Sequence, residues 1–248
     1  MASEVEFDVW TTTLFNKFLA APANKVLDWV GVQHDPAHPW SNWMTMEIFV
    51  VAVIVVVFAI LKGRLSVDRP GKMQHIFELF LGFFREQAND NVGHGSSKYV
   101  PFFGTLFLFI LFMNLIGLVP GFESPTMNPA VPLGLAVCTF LYYNFQGLRE
   151  QGVGKYLAHF LGPIWWMAPL MVPIEIISHL ARPMSLTIRL YANMYAGEQV
   201  TMAFLTLTFL VIPVAFLGLH LFVAFLQAFI FMVLAMVYVG AAVSHEEH

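Results

Sequence analysis

EIISHLARPMSLTIRLYANMYAGE, running from Glu175 to Glu198, lies in a very apolar chain yet carries Glu175, His179, Arg182, Arg189, Asn193 and Glu198. At about 100° per residue, the period of an α-helix, most of these residues line up. With Arg189 set at zero, Glu175 and Asn193 fall at about +40°, Arg182 at about +20°, Ser178 at about −20° and Ser185 at about −40°. Glu198 falls on the back of the helix, at about 180°. A narrow polar stripe therefore runs along one helix. An ionisable group in hydrocarbon costs about 2.5–3.5 kcal/mol on insertion scales, so such a stripe marks an ion path.

The hydrocarbon setting follows from composition. Of 248 residues, 58% are hydrophobic and 11% charged, whereas a soluble domain carries about a quarter charged residues. Several apolar runs have the length of a bilayer span, which predicts a polytopic membrane protein. The net charge is −4 with no basic block, so no nucleic-acid partner is expected. The single cysteine, Cys138, lies in an apolar run and has no partner for an internal disulfide. The first 40 residues lack the basic, apolar and small-residue order of a removable signal peptide.

Working outward, residues 1–43 read as an exposed segment with one short interfacial helix around Thr11–Phe18. The first span is expected over 44–61, where VVAVIVVV is β-branched. A barrel would need repeated alternating segments of about ten residues, and none is present, so helix is the reading. Lys62, Arg64, Arg69 and Lys72 follow and place that end inside. Residues 73–90 are amphipathic, with Ile76, Phe77, Phe80, Phe83 and Phe84 on one face, as suits an interfacial helix. Further spans are expected over 101–119 and 130–148. The loop between them holds Glu123 and no Lys or Arg, which marks the outer side, and Arg149 and Lys155 return the chain inside. The N-terminus is expected outside and the tail Ser244–His248 inside.

Glu175 to Leu210 contains no polar loop, and 36 helical residues would extend ~54 Å against a hydrocarbon core ~30 Å thick. Either the helix breaks near Pro183 or Gly197, or it lies strongly tilted. Pro213 marks the expected turn. On the last helix His220, Gln227 and Tyr238 fall within about 20° of one another. The fold class is thus an all-α polytopic membrane protein: upright spans, plus a long tilted antiparallel pair over about 168–210 and 213–243.

Arg189 is the sharpest candidate. It could snorkel or pair structurally, but apolar sequence continues well beyond it and Arg182 already lies nearer the inner end. Arginine suits a site that must keep its charge, because a guanidinium is not deprotonated under the conditions in which proteins work. Glu198 is a candidate proton carrier, and His220 its plausible partner. Asn193, Gln227 and Asn114 either bond between helices or line a hydrated path. Glu175 and His179 are either functional or interfacial. No Gly-rich phosphate loop, HExxH, cysteine pair or nucleophile elbow is present. No cofactor, metal site or direct nucleotide hydrolysis is expected of this chain.

RLYANMYAGE (Arg189–Glu198) and LQAFIFMVLAMVY (Leu226–Tyr238) closely resemble subunit a of the F-type ATP synthase, and NLIGLVPG (Asn114–Gly121) and RPMSLTIR (Arg182–Arg189) match the same family. These motifs cover about residues 100–240. The resemblance implies a non-catalytic stator protein against a rotating ring of subunit c, joined by the peripheral-stalk subunit b and the remainder of the synthase in a lipid bilayer. By resemblance, Arg189 faces the essential carboxylate of subunit c. Asn193, Glu198, His220 and Gln227 match positions of the outer half-channel and ring interface, Asn114 an outer polar position, and Glu175 and Ser185 positions towards the inner exit. Tyr238 joins the candidates through its motif. Some relatives carry an acid where this chain has Gly117. The membrane is a bacterial plasma membrane on the motifs, with an energy-transducing organelle as the alternative. Two rival readings are a secondary ion-coupled transporter, for which the expected internal repeats are not visible, and a purely structural subunit, which leaves Arg189 and Glu198 unexplained.

Overall fold

Despite its β-branched VVAVIVVV run, the first apolar stretch is helical: in lipid every backbone N–H and C=O must be satisfied within the segment, and a helix does this alone. The computed structural model of the protein describes residues 9–31, 35–36, 38–66, 71–93, 95–119, 121–152, 154, 156, 168–207 and 211–243. Among these, all regular structure is helical. The elements are α1 (Trp10–Val30), α2 (Asn42–Gly63), α3 (Lys72–Val92), α4 (Val100–Ile116), α5 (Ala130–Gln151), α6 (Ala168–Leu207) and α7 (Val211–Val243). Short 3-10 turns at Ser96–Lys98 and Pro125–Met127 precede α4 and α5. The chain is an all-α polytopic membrane protein. Two helices reach mean hydropathies of 2.8 (Asn42–Gly63) and 2.5 (Val214–Val243) over an 18-residue window, enough to cross a bilayer.

The surface agrees with that setting. Val55, Val56 and Ile60 on α2, Leu141 and Phe145 on α5, and Ile177, Leu180 and Ile188 on α6 are all exposed. A water-soluble monomer does not present apolar area on this scale. The core lies where α3, α4, α5, α6 and α7 meet, around Phe84, Phe103, Phe107, Ile110, Met113, Tyr143, Leu190, Met194, Phe231, Met232 and Met236. Phe84 meets Phe107 edge-on at 5.2 Å, and Phe107 meets Phe225 at 5.7 Å, so rings from α3, α4 and α7 interlock. Small residues set the closest crossings. A Cβ added at Gly240 of α7 would collide with the Asn91 carbonyl of α3, as expected where helix backbones approach in a membrane.

Four expectations change. The N-terminal helix is much longer than Thr11–Phe18. It runs Trp10–Val30, buries Thr11 and Thr12, and ties to α2 through a 2.7 Å bond between Thr12 Oγ1 and Thr45 Oγ1. Its end at Gly31 takes φ 75°, with the Gly31 N–H bonding back to Asp28 O and Leu27 O. On α3, Phe80, Phe83 and Phe84 pack inward, but Ile76 is exposed and Phe77 turns to Phe58 of α2. The apolar residues of α3 therefore divide between core and outer surface.

The third change concerns α6, which is unbroken for 40 residues through Pro173 and Pro183. Each proline removes one i→i−4 donor, a loss that neighbouring groups absorb in membrane helices. At ~1.5 Å per residue α6 spans ~60 Å, twice the hydrocarbon thickness, so of the two alternatives tilt survives and breakage does not. Finally, Pro213 is not the turn. It lies in the first turn of α7, where a missing N–H costs nothing. The tail 244–248, Arg69 and Lys155 lie outside the described residues.

Candidate functional site

The polar stripe is held by the antiparallel pairing of α6 with α7. Asn193 Nδ2 donates to Gln227 Oε1 at 2.9 Å. Eleven residues before Asn193, the Arg182 guanidinium lies 5.3 Å from the ring of Tyr238, which is eleven residues after Gln227. Eleven residues make about three full turns, so both helices return to the same facing side. One register therefore satisfies both contacts. Towards the other end, Gly197 meets His220: a Cβ on Gly197 would lie 3.3 Å from His220 Nδ1.

Two polar groupings result, one on each side of Arg189. The first surrounds a cavity of ≈ 260 Å³ lined by Asn193, Gly197, Thr201, His220 and apolar neighbours. His220 is 7% exposed, and its Nε2 makes no hydrogen bond among the described residues. Glu198 is half-buried on the other face of α6, within Coulombic reach of Glu123 from the α4–α5 connection. Glu198 and His220 are not hydrogen-bonded to each other in this structure, so their expected partnership is not a direct contact. Asn114 belongs to the same end of the molecule. It is fully buried, accepts from Thr126 Oγ1 at 2.8 Å and donates to the Ala224 carbonyl of α7 at 3.3 Å. Ser124 Oγ lies 2.9 Å from Met113 O and 2.8 Å from Thr126 Oγ1, and its single proton can be donated to only one of them at a time.

The second grouping lies near the start of α6. Glu175 Oε1 is 3.3 Å from His179 Nδ1, one turn apart. Glu175, His179 and Arg182 line a small cavity with Gln151, Tyr156, Ala241 and Ala242. The Arg182 guanidinium sits over two rings, Tyr238 at 5.3 Å and Tyr143 at 5.9 Å, and Tyr143 also approaches the His179 ring at 6.0 Å. Tyr238 therefore contacts Arg182, towards the start of α6. Gln151 Nε2 donates to Ala242 O at 3.0 Å and ties α5 to α7 at this end.

Arg189 stands between the two groupings, about 14 Å along the axis from Glu198 and about 21 Å from Glu175. It is partly exposed and makes no hydrogen bond or ion pair among the described residues. With Ala181, Met184, Ser185 and Ile188 it lines an open surface recess of ≈ 450 Å³. Ser185 is exposed there. Leu186, Leu190 and Met194 are buried on the opposite flank and fasten α6 to the core. The recess thus presents one permanent cation to the outside of the subunit.

Several of these neighbours were not legible from the stripe. Tyr143, Tyr156, Ser124 and Thr126 reach it from other elements. Tyr143 could have been suspected as a hydroxyl-bearing ring in an apolar run, but nothing in its spacing names Arg182 as its partner. Among the described residues no group of three or more His, Cys, Asp or Glu side chains could hold a metal.

The fold and its charged stripe define a polytopic, all-helical membrane protein with ionisable groups inside its helix pair. The chain belongs to the ATP synthase A chain family, whose family model matches residues 44–240, and that family is subunit a of the F-type synthase. It is similar to the ATP synthase subunit a of Solibacter usitatus (strain Ellin6076), 60% identical over 233 residues that cover 94% of this chain and 100% of the relative. The Koribacter versatilis (strain Ellin345) subunit is 49% identical over 96% of this chain and 97% of its own length. The Aquifex aeolicus (strain VF5) subunit is 42% identical over 80% and 95% respectively.

Proposed function

We propose that this chain is the non-catalytic, proton-conducting stator of its ATP synthase, supplying two half-channels to a ring of subunit c. Protons enter from outside past Asn114, Glu198 and His220, with Asn193 and Gln227 beside them, and neutralise a ring carboxylate. Neutralisation removes most of the cost of turning that site into lipid. After nearly a full rotation the site meets the inner half-channel near Ser185 and Glu175 and releases its proton. Each charge driven through the potential yields about 2.3 kcal/mol per 100 mV, and the rotor sums several such steps for each ATP. Tyr238 supports the inner half by fixing Arg182. Residues 44–248 act as one membrane body, with α3 at the inner interface, the N-terminus outside, the C-terminus inside, and the peripheral-stalk subunit b alongside. The membrane is a bacterial plasma membrane, in line with the bacterial relatives.

One observation carries this reading. Arg189 has no carboxylate partner among the described residues, faces an open recess, and divides two polar groupings that do not join. A fixed cation so placed favours an ionised carboxylate brought from another chain and blocks direct passage between the halves. The test is ATP-driven proton pumping and passive leak in vesicles carrying Arg189→Ala, after assembly is verified. Pumping should be lost, and a leak should appear when the catalytic head is stripped. Normal pumping by an assembled variant would reject the separator role.

A further inference from the structure

The inner grouping contains a titratable ring with no role so far. His179 is buried at 8% exposure, and its Nδ1 faces the Glu175 carboxylate at 3.3 Å. Both line a cavity that Gln151 and Ala242 close at the ends of α5 and α7. We propose that Glu175 and His179 form a two-member proton relay through which the inner half-channel discharges. This rests on the half-channel reading above and adds a carrier to it.

The chemistry needs only these two groups and water. His179, one turn nearer Arg189 on α6, takes up through water the proton lost by a ring carboxylic acid and becomes imidazolium. The imidazolium passes it to the Glu175 carboxylate, and the resulting carboxylic acid, the more exposed of the pair at 31% of its side chain against 11% for His179, gives it to water on the inner side. No other bond changes. Imidazole suits the first step because its charge changes near neutral pH.

The surroundings keep the imidazolium short-lived. Arg182 on the same helix is a fixed cation one turn away, held over Tyr143 of α5 and Tyr238 of α7. Like charges raise each other's free energy, so Arg182 drives the proton off, while Glu175 stabilises its arrival. Tyr143 approaches the His179 ring at 6.0 Å, and Tyr156 lines the same cavity. Glu175, Arg182, Tyr143, Tyr156 and Tyr238 are titratable or charged groups near this ring among the described residues. The opposition of one anion and one cation makes the site a carrier rather than a trap.

The experiment uses the assembled synthase in vesicles and measures ATP synthesis against the pH of the inner, discharge side. His179→Gln keeps the size and polarity of the ring but cannot titrate. It should lower the rate about a hundredfold or more, the lower end of the range attributed to a positioned proton-transfer group, and should flatten the profile near neutral pH. His179→Ala opens the cavity, and imidazole added on the discharge side should restore its rate severalfold. An assembled His179→Gln enzyme with the parental rate and profile would overturn the relay, as would a His179→Ala loss that imidazole leaves unchanged. Arg189→Ala separates the two proposals: normal pumping there rejects the half-channel reading itself, whereas a dead Arg189→Ala with a normal His179→Gln rejects only the relay.

Discussion

Asn193 Nδ2 donates to Gln227 Oε1 over 2.9 Å and so joins α6 to α7 one turn from Arg189. Gln227 is 2% exposed, whereas Asn193 is exposed on its own helix. The two ends of the bond therefore differ in what their loss leaves behind. Asn193→Ala strands a buried amide oxygen, a cost of about 1–3 kcal/mol. In a double-mutant cycle with Gln227→Ala the coupling should be about 0.6 kcal/mol and no more than ~1.7 kcal/mol, the range for interhelical hydrogen bonds in membranes. Thermal stability of the detergent-solubilised complex reads both quantities. A coupling of zero would mean that the amides each prefer other partners.

Arg182 is held by ring faces, and that can be separated from its hydroxyl neighbours. Tyr238→Phe keeps the face that lies 5.3 Å from the guanidinium, so the stability of the helix pair should hardly change. Tyr238→Leu removes the face and should cost about 0.5–2 kcal/mol. Comparing the two midpoints in the same thermal scan decides the matter. Equal losses would assign the interaction to the phenol hydroxyl instead.

How far these contacts could be read from the sequence depends on their reach. Periodicity along a single helix is local, and it put Glu175, Arg182, Arg189 and Asn193 on one face and His220, Gln227 and Tyr238 on another. The all-helical membrane fold was legible for the same reason: apolar length and the lack of alternating segments are visible residue by residue. Partner choice between helices is not local. Asn193 meeting Gln227 and Arg182 meeting Tyr238 both follow from one antiparallel register, which depends on where α6 ends and α7 begins. Pro213 misplaced that turn, because a proline in a first helical turn looks like a breaker when only the sequence is read. Pro183 misled in the opposite way, since a membrane helix can continue through it. The length of α1 was hidden because its stabilising contacts, such as Thr12 with Thr45, lie 33 residues apart.

Gly147 marks a close crossing of α5 with α7. A Cβ there would lie 2.6 Å from Tyr156 Cε2 and 3.0 Å from the Ala242 carbonyl oxygen. The tyrosine cannot simply swing away, because its hydroxyl donates to Asn144 Oδ1 at 2.6 Å. Gly147→Ala should therefore destabilise by about 1–3 kcal/mol through overpacking and reduce the yield of assembled complex. Gly134→Ala on the same helix meets nothing within 4 Å and should be neutral, or stabilising by up to about 1 kcal/mol through helix propensity. If both alanines behave alike, the crossing of α5 and α7 is looser than the geometry requires.

The end of the molecule around His220 turns on Asn114. This side chain is fully buried, and Thr126 Oγ1 donates to its Oδ1 at 2.8 Å. Thr126→Val keeps the shape but removes the donor, leaving a buried acceptor unpaired at about 1–3 kcal/mol. Thr126→Ser keeps the donor and should stay near the parent in both stability and proton pumping. The same network packs against Gly117. A Cβ at 117 would lie 2.7 Å from Ser124 Cβ and 3.3 Å from its backbone nitrogen. Gly117→Asp must therefore displace the Ser124–Thr126 turn before its carboxylate can reach any path. Under the proposed outer half-channel it should lower ATP-driven pumping and stability together, with Thr126→Val showing the smaller form of the same defect. Undiminished pumping in Gly117→Asp, measured in vesicles with assembly verified, would show that the turn yields freely and that Asn114 is not fixed by it.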